Sequence, residues 1–358
     1  MHENDIKFIF DRKQLINNYS EFKKFGNIFY PLKTNSNPYI VDCLNNIYQS
    51  NDGFLISNIE HYNFLINRGI SPKKMCLINV LSSNDSIKYL YLKGVQFFVF
   101  DNFDSLLKFS KYADFIKCKI SIRINIMEFF PNIFSHLGAS MDECFRMLDF
   151  LNDRCSNIGI SFYIPTIIKD KYKSLKKILF RISSIFKAYN IQFLSIGGLT
   201  SYLDFEQDVF NSIKIKLNLD EIILEPGKYL VENTFHLKTK IVRNKIFHDK
   251  KIIIIKNGIY SGFLDILLYD KKFDFYLKID SDKYVSISNY MDDKHNYEIM
   301  VCGASSDSRD ILGTLFLNEK YKNELKVGNE MIIKNIGSYF EEFFMSYGGD
   351  INIKYEEV

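Results

Sequence analysis

The sequence predicts an eight-stranded α/β barrel joined to an all-β domain, and three observations carry that expectation. Eight short apolar runs alternate with helix-like stretches over about 200 residues, as parallel βαβ units closing into a (β/α)8 barrel would. Each run ends in a polar group or a glycine, which suits the rim of a barrel whose chemistry sits at the C-terminal strand tips. After about residue 235 the pattern changes to β-rich runs with no long helix, which reads as a sandwich or a barrel.

Taken in order, the opening run Ile6–Phe10 precedes the barrel and pairs most economically into the later sheet. The expected domains are therefore residues 25–235 for the barrel, and 1–24 with 236–358 for the β domain. The eight apolar runs are 28–32, 53–57, 76–80, 96–100, 119–125, 158–164, 193–197 and 222–225. Between them, apolar residues at three- and four-residue spacing predict helices over 59–68 (Tyr62, Phe64, Leu65), 86–93 (Ile87, Leu90, Tyr91) and 175–189 (Leu179, Ile182, Ile185, Phe186). The strand tips then carry Lys33, Ser57, Asn79, Asp101, Arg123, Tyr163, Gly197-Gly198 and Glu225. In the β domain the runs are 235–246, 251–257, 274–279, 284–290, 297–301, 330–335 and 350–355.

At 358 residues the chain exceeds a single small core, in keeping with one large and one smaller domain. Its 47% hydrophobic and 25% charged residues are ordinary for a globular protein. A formal charge of +3 with no dense basic run argues against nucleic acid as a partner. Cys43, Cys76, Cys118, Cys144, Cys155 and Cys302 show no CxxC pair and no companion histidine spacing. They read as buried, reduced thiols rather than a disulfide or zinc framework, so no metal site is expected. The N-terminus lacks the basic and apolar regions of a signal peptide, and no apolar run approaches ~18 residues. No membrane partner is expected, and the cytoplasm is the default location.

Chemistry concentrates in a few stretches. In Ile28-Phe29-Tyr30-Pro31-Leu32-Lys33 an apolar run ends abruptly in one amine, followed by the polar turn Thr34-Asn35-Ser36-Asn37 and Pro38. Desolvation lowers the pKa of such an amine and frees its nucleophilic form, which suits Schiff-base chemistry; a surface lysine after an edge strand is the alternative. Ile196-Gly197-Gly198-Leu199 offers backbone N–H groups to an anion, or is a plain turn. Glu225-Pro226-Gly227-Lys228 places a carboxylate and a cation three residues apart, either as a structural ion pair or as a buried partner for a pyridine nitrogen. Val301-Cys302-Gly303-Ala304-Ser305-Ser306-Asp307-Ser308 and Asn335-Ile336-Gly337-Ser338-Tyr339 are polar clusters that each follow a β run.

In this order the motifs resemble the fold-type III pyridoxal-phosphate decarboxylases, the family of ornithine, diaminopimelate and carboxynorspermidine decarboxylases. The resemblance covers nearly the whole chain. YPLKTNSNP is similar to the family's Y-A-x-K-A-N, Ser121-Ile122-Arg123-Ile124-Asn125 to its R-I-N segment, and Phe134-Ser135-His136-Leu137-Gly138 to the K-F-G that follows. IGGL, EPGKY, CGASSDS and NIGSY resemble its G-G-G, E-P-G-R, C-G-P-x-C-D and N-x-G-A-Y stretches. The resemblance implies an alanine racemase-like barrel carrying pyridoxal 5′-phosphate, with Lys33 as the Schiff-base lysine and Glu225 facing the pyridine nitrogen. Arg123 belongs to the cofactor site. Gly197, Gly198, Leu199, Gly227, Lys228 and Tyr339 would surround the phosphate, with Thr166 in the place of a family serine and Tyr163 on the ring face. Tyr269-Asp270 resembles the L-Y-D of ornithine decarboxylases and, with Asp307, would meet substrate. A homodimer with shared sites is implied, the CGASSDS loop entering the partner's site.

The departures bear on function. Tyr163 replaces the family histidine that stacks on the ring, and a phenol supplies no cationic face. Lys228 replaces an arginine and neutralises phosphate without a bidentate fork. Ser306 stands where the family keeps a proton-donating cysteine, with Cys302 four residues earlier as the only nearby thiol. Three functions follow: a decarboxylase of an amino acid or amino-acid-like group, a tailoring decarboxylase of an amino-carboxypropyl group on a peptide-nucleotide antibiotic of the microcin C type, or an inactive homologue that binds a partner.

Overall fold

The computed structural model describes residues 6–78, 83–165, 167–198, 207–345 and 353–358. The chain opens with β1 (Ile6–Phe10) and α1 (Arg12–Lys23). Eight parallel strands follow and close on themselves: β2 (Asn27–Pro31), β3 (Gly53–Ile56), β4 (Met75–Ile78), β5 (Phe97–Phe100), β6 (Lys119–Arg123), β7 (Ile158–Tyr163), β8 (Phe193–Gly197) and β9 (Glu221–Glu225). The ring is completed where Asn27 and Ile28 of β2 pair with Ile223 and Leu224 of β9. The (β/α)8 barrel expected from the alternating runs is therefore present.

Between and after the strands lie α2 (Pro38–Ile47), α3 (Ile59–Ile66), α4 (Asn84–Leu92), α5 (Phe103–Phe109), α6 (Met141–Leu151), α7 (Lys171–Ala188), α8 (Gln207–Leu217) and the short α9 (Lys228–Val231). Their starts are set by caps. Asn58, Ser83, Asn102, Ser140 and Asp170 each accept a hydrogen bond from a backbone N–H of the first turn. Two helices thus begin earlier than apolar periodicity indicates, α4 at Asn84 and α7 at Lys171. Ser83 and Asp170 each satisfy one orphan donor there, the N–H of Ser86 and of Lys173, ahead of the first buried apolar residue.

Alternate residues point into the barrel. Phe29, Leu55, Cys76, Phe97, Val99, Phe193 and Ile223 form one core cluster, with Phe97 edge-on to both Phe29 and Phe193 at 5.4 Å. Burying a side chain of this size contributes about 1.5–3 kcal/mol. Gly159 leaves the room that the Phe193 ring occupies, since a Cβ there would meet the ring at 2.2 Å. At the N-terminal end Lys119 lies over the rings of Phe97 and Phe193, 4.9 and 4.4 Å from their centroids, and pairs with Glu221. That parity fixes what stands at the other end: Arg123, Tyr163, Gly197 and Glu225 continue the inward-facing series.

The later strands form a second sheet: β10 (Phe235–Phe247), β11 (Lys250–Ile255), β12 (Asp274–Asp280), β13 (Lys283–Ile287), β14 (Tyr297–Cys302), β15 (Ile311–Leu317), β16 (Glu330–Lys334) and β17 (Ile353–Glu357), with α10 (Asp265–Tyr269) between β11 and β12. Their order is β13-β12-β16-β10-β11-β14-β15, and β1 pairs with β10 and β17. Hence β1 belongs to this sheet. The two end strands meet through Ser288 and Phe316, whose backbones exchange two hydrogen bonds of 2.8 Å, so the sheet curls toward closure. Among the described residues no helix is long and apolar enough to cross a membrane.

By compactness the chain separates into Asn17–Lys33 with Asp42–Leu230, which holds the barrel strands, and Met1–Ile16, Thr34–Val41 and Val231–Val358, which holds the second sheet. The turn that follows Lys33 is thus part of the β unit, and its side chains explain why. Tyr339 donates its N–H to the Thr34 carbonyl (2.7 Å), Asn35 Nδ2 donates to the Gly337 carbonyl (2.9 Å), and Asn37 Nδ2 donates to the Glu341 carboxylate (2.9 Å).

Candidate active site

Lys33 lies one residue past the fully buried Leu32, in a single 3-10 turn (Leu32–Thr34) that continues β2. Water reaches the side chain, yet protein surrounds the amine and desolvation is the main cause that lowers its pKa. The Arg123 charge lowers it further, and Glu225 opposes both. An amine that is reachable but poorly hydrated is what nucleophilic attack on a carbonyl requires.

Glu225 closes β9 at the same level as Gly197 of β8 and Tyr163 of β7, which are successive register partners. Burial raises its pKa, while Ser195, Arg123 and Lys33 pull it back down. The Ser195 hydroxyl donates to Oε1 at 2.6 Å, leaving the other oxygen for a ligand. Oε2 would lie 3.2 Å from a Cβ placed on Gly197, and the Tyr163 ring would lie 3.1 Å from it. A side chain at this position would therefore fill the space between them. Gly198 has φ +76, and a Cβ there would strike the Ile164 carbonyl at 2.0 Å. Only glycine fits this close approach of two backbone segments.

Sequence reasoning missed two features of this end of the barrel. Lys171, at the first position of α7, is 2% exposed and donates from Nζ to the carbonyls of Ile164 and Pro165. This places a buried cation behind the glycine turn, although in the sequence it is one lysine among many on an amphipathic helix. Ser161, Ser195's register partner on β7, is buried with an Oγ that has no protein partner, and so is Ser121 on β6. These inward-facing hydroxyls leave polar capacity beneath the mouth.

Lys228 starts α9 and Gly227 precedes it, both half-buried. Thr166 and Leu199, and Asn79 among the strand tips, lie outside the described residues.

The remaining candidates belong to the β unit. Cys302 ends β14, half-buried, and burial pushes its thiol pKa up, which disfavours an ionised form. Ser306 is exposed. The loop they share is organised by Asp310, 4% exposed, which sequence reasoning passed over. Its carboxylate accepts the N–H of Ile259 (2.7 Å) and of Ser305 (3.1 Å), and Gly258 and Gly303 make room for it. Asp307 accepts from the Tyr260 hydroxyl at 2.6 Å and from Arg309, and these hydrogen bonds hold its carboxyl well below the usual range. Tyr269 and Asp270 end α10 at the surface, where Asp270 accepts from Lys272 at 2.7 Å. Tyr339 adopts a left-handed backbone (φ 61), and its ring stacks on Phe343 at 5.8 Å.

A family model described as "Pyridoxal-dependent decarboxylase, pyridoxal binding domain" matches residues 12–232. The chain is 22% identical to the ornithine decarboxylase of Schizosaccharomyces pombe over 331 residues, 87% of this chain and 73% of that one. It is also 22% identical to antizyme inhibitor 2 of Xenopus laevis over 369 residues, 94% of this chain and 77% of that one. Among solved structures, the arginine decarboxylase of Paramecium bursaria Chlorella virus superposes with a TM-score of 0.80 at 19% identity, covering 100% of this chain and 98% of that one.

Proposed function

Because the chain belongs to the pyridoxal-dependent decarboxylase family, we propose that it removes the α-carboxylate of an amino acid or amino-acid-like substrate with pyridoxal 5′-phosphate as cofactor. The observation that carries this reading is the barrel mouth itself, where Lys33, Arg123 and a half-buried Glu225 act on one another electrostatically, with Gly197 beside the Glu225 carboxylate. The residues present fit the cofactor. Lys33 Nζ would anchor it, Glu225 would face its ring nitrogen, and Gly197 leaves the space between Glu225 and the Tyr163 ring free of a side chain. When bound, pyridoxal phosphate supplies a sink for the electron pair left behind as CO2 departs.

The chain's own groups have separate tasks. Desolvation and Arg123 lower the pKa of the Lys33 amine, which favours the neutral, nucleophilic form that would exchange with a substrate amine. Ser195, Arg123 and Lys33 oppose the rise that burial gives the Glu225 pKa, and a carboxylate ionised there would hold a proton on the basic nitrogen that faces it. Tyr163 presents an apolar face beside Gly197 without adding charge. Asp307 and its loop are assigned to the substrate, in a homodimer with shared sites.

Similarity to an antizyme inhibitor raises a second reading, a partner-binding protein without activity. A lysine with lowered pKa and a hydrogen-bonded Glu225 argue against it, because binding alone has no use for either. The decisive experiment loads the purified chain with pyridoxal phosphate, reduces it with borohydride, and maps the modified peptide while amino acids are screened for CO2 release. A modified Lys33 together with CO2 release is expected, and Lys33→Ala should abolish both. An adduct on another lysine would remove the assignment; an adduct without CO2 from any substrate would favour the binding protein.

A further inference from the structure

In the loop between β14 and β15, the Asp307 carboxylate has no acceptor capacity to spare. Oδ1 takes the backbone N–H of Arg309 (2.8 Å) and its Nε (3.2 Å), and Oδ2 takes the Tyr260 hydroxyl (2.6 Å) and Arg309 Nη2 (2.8 Å). A carboxylate offers about four lone-pair positions, and all are used here. An ammonium group arriving at Asp307 would have to displace one of these donors and sit against the guanidinium charge. Asp270, the other carboxylate proposed to meet substrate, is not saturated in this way, but its Oδ1 already carries the Lys272 ammonium at 2.7 Å.

Arg309 is in the opposite condition. A guanidinium carries five N–H donors in a fixed fork. Two of its nitrogens meet Asp307, and the side chain is still 79% exposed. Ser306 and Ser308 are exposed beside it, so the outward groups of the loop are a cation and hydroxyls. Asp310 is not among them, because it is buried and spent on the N–H groups of Ile259 and Ser305.

We propose that this loop reads an anionic distal group on the substrate, a carboxylate or a phosphate, through Arg309, and that Asp307 is the support that aims the guanidinium. The inference rests on the assignment of this loop to the substrate made above. It separates this chain from an enzyme selecting a diamine-type amino acid, whose distal ammonium would need an unspent carboxylate. A fork matches a carboxylate or phosphate by two parallel hydrogen bonds, so the preference should be steep.

The test measures calorimetric dissociation constants of product-like amines on the full chain loaded with pyridoxal phosphate. Four probes share an amine end and differ at the other: 4-aminobutyrate, 3-aminopropyl phosphate, putrescine and butylamine. At least one anionic amine should bind about tenfold or more tighter than putrescine, and whichever is tighter tells carboxylate from phosphate. Arg309→Leu should cost that amine about tenfold and leave butylamine nearly unchanged, while Arg309→Lys keeps part of the preference. Far-UV circular dichroism checks that each variant is folded. Putrescine binding as well as either anion, or anion affinity untouched in Arg309→Leu, would overturn the proposal. Butylamine binding with neither anion bound would overturn it while leaving the decarboxylase assignment standing; if none of the four binds, both fall.

Discussion

A lysine held in a poorly hydrated place is a cost to the fold before it is an asset to chemistry, and Lys33 makes that cost measurable. Burial is the first cause of its lowered pKa and Arg123 the second. Between the lowered value and the ordinary 10.5, the unfolded chain binds more protons than the folded one. Stability therefore rises with pH across that window, and the penalty is fully present below it. Lys33→Met in the cofactor-free protein should raise the melting temperature at neutral pH by about 2 °C, kept small because water still reaches the amine. The gain should shrink as pH approaches 10.5. A gain independent of pH, or a loss, would mean the amine is not strained in the folded state. Lys33 and Glu225 were legible because each ends an apolar run in an abrupt charge. Lys171 was not, since a lysine at a helix start looks the same whether solvated or buried against carbonyls.

At the scale of elements, legibility follows the regularity of the backbone. The barrel strands could be read because each is short, apolar and bounded by polar residues. β15 was missed because its inward series breaks: the register against β14 shifts between Val301 and Cys302, and Gly313 at φ +147 sits at the irregularity. A strand with a bulge changes face partway and shows no clean alternation. The loop before β15 hid its own keystone, since Asp310 in Ser306-Asp307-Ser308-Arg309-Asp310 looks like one more solvated carboxylate. Its two accepted backbone hydrogen bonds show otherwise. Asp310→Ala would leave the N–H groups of Ile259 and Ser305 without their acceptor, at about 1–3 kcal/mol each. A loss of about 2–4 kcal/mol in urea unfolding, with the slope unchanged, is expected. A loss under about 0.5 kcal/mol, the level of an ordinary surface change, would show that the loop does not depend on Asp310.

At the scale of the whole molecule, the groups assigned to cofactor and to substrate are divided between two units of one chain. Lys33, Arg123 and Glu225 stand on the barrel unit, and Asp307 and Arg309 on the β unit. Resemblance to the family implies that the loop bearing Asp307 completes the site of a second copy in a two-fold dimer. That arrangement makes a prediction no monomeric enzyme would share. Lys33→Ala removes the amine from its own barrel, and Asp307→Ala removes the support for Arg309 from its own loop. In a hybrid of the two, one composite site carries both defects and the other carries neither. Random re-pairing of equal amounts gives about half hybrids, each with one intact site of two, so about a quarter of wild-type activity should return. Each variant alone should stay well below that level. The measurement is CO2 release before and after exchange under mild denaturant, with differently tagged chains co-purified to prove that hybrids formed. Activity that stays at background in proven hybrids would place the lysine and the loop of each site on the same chain.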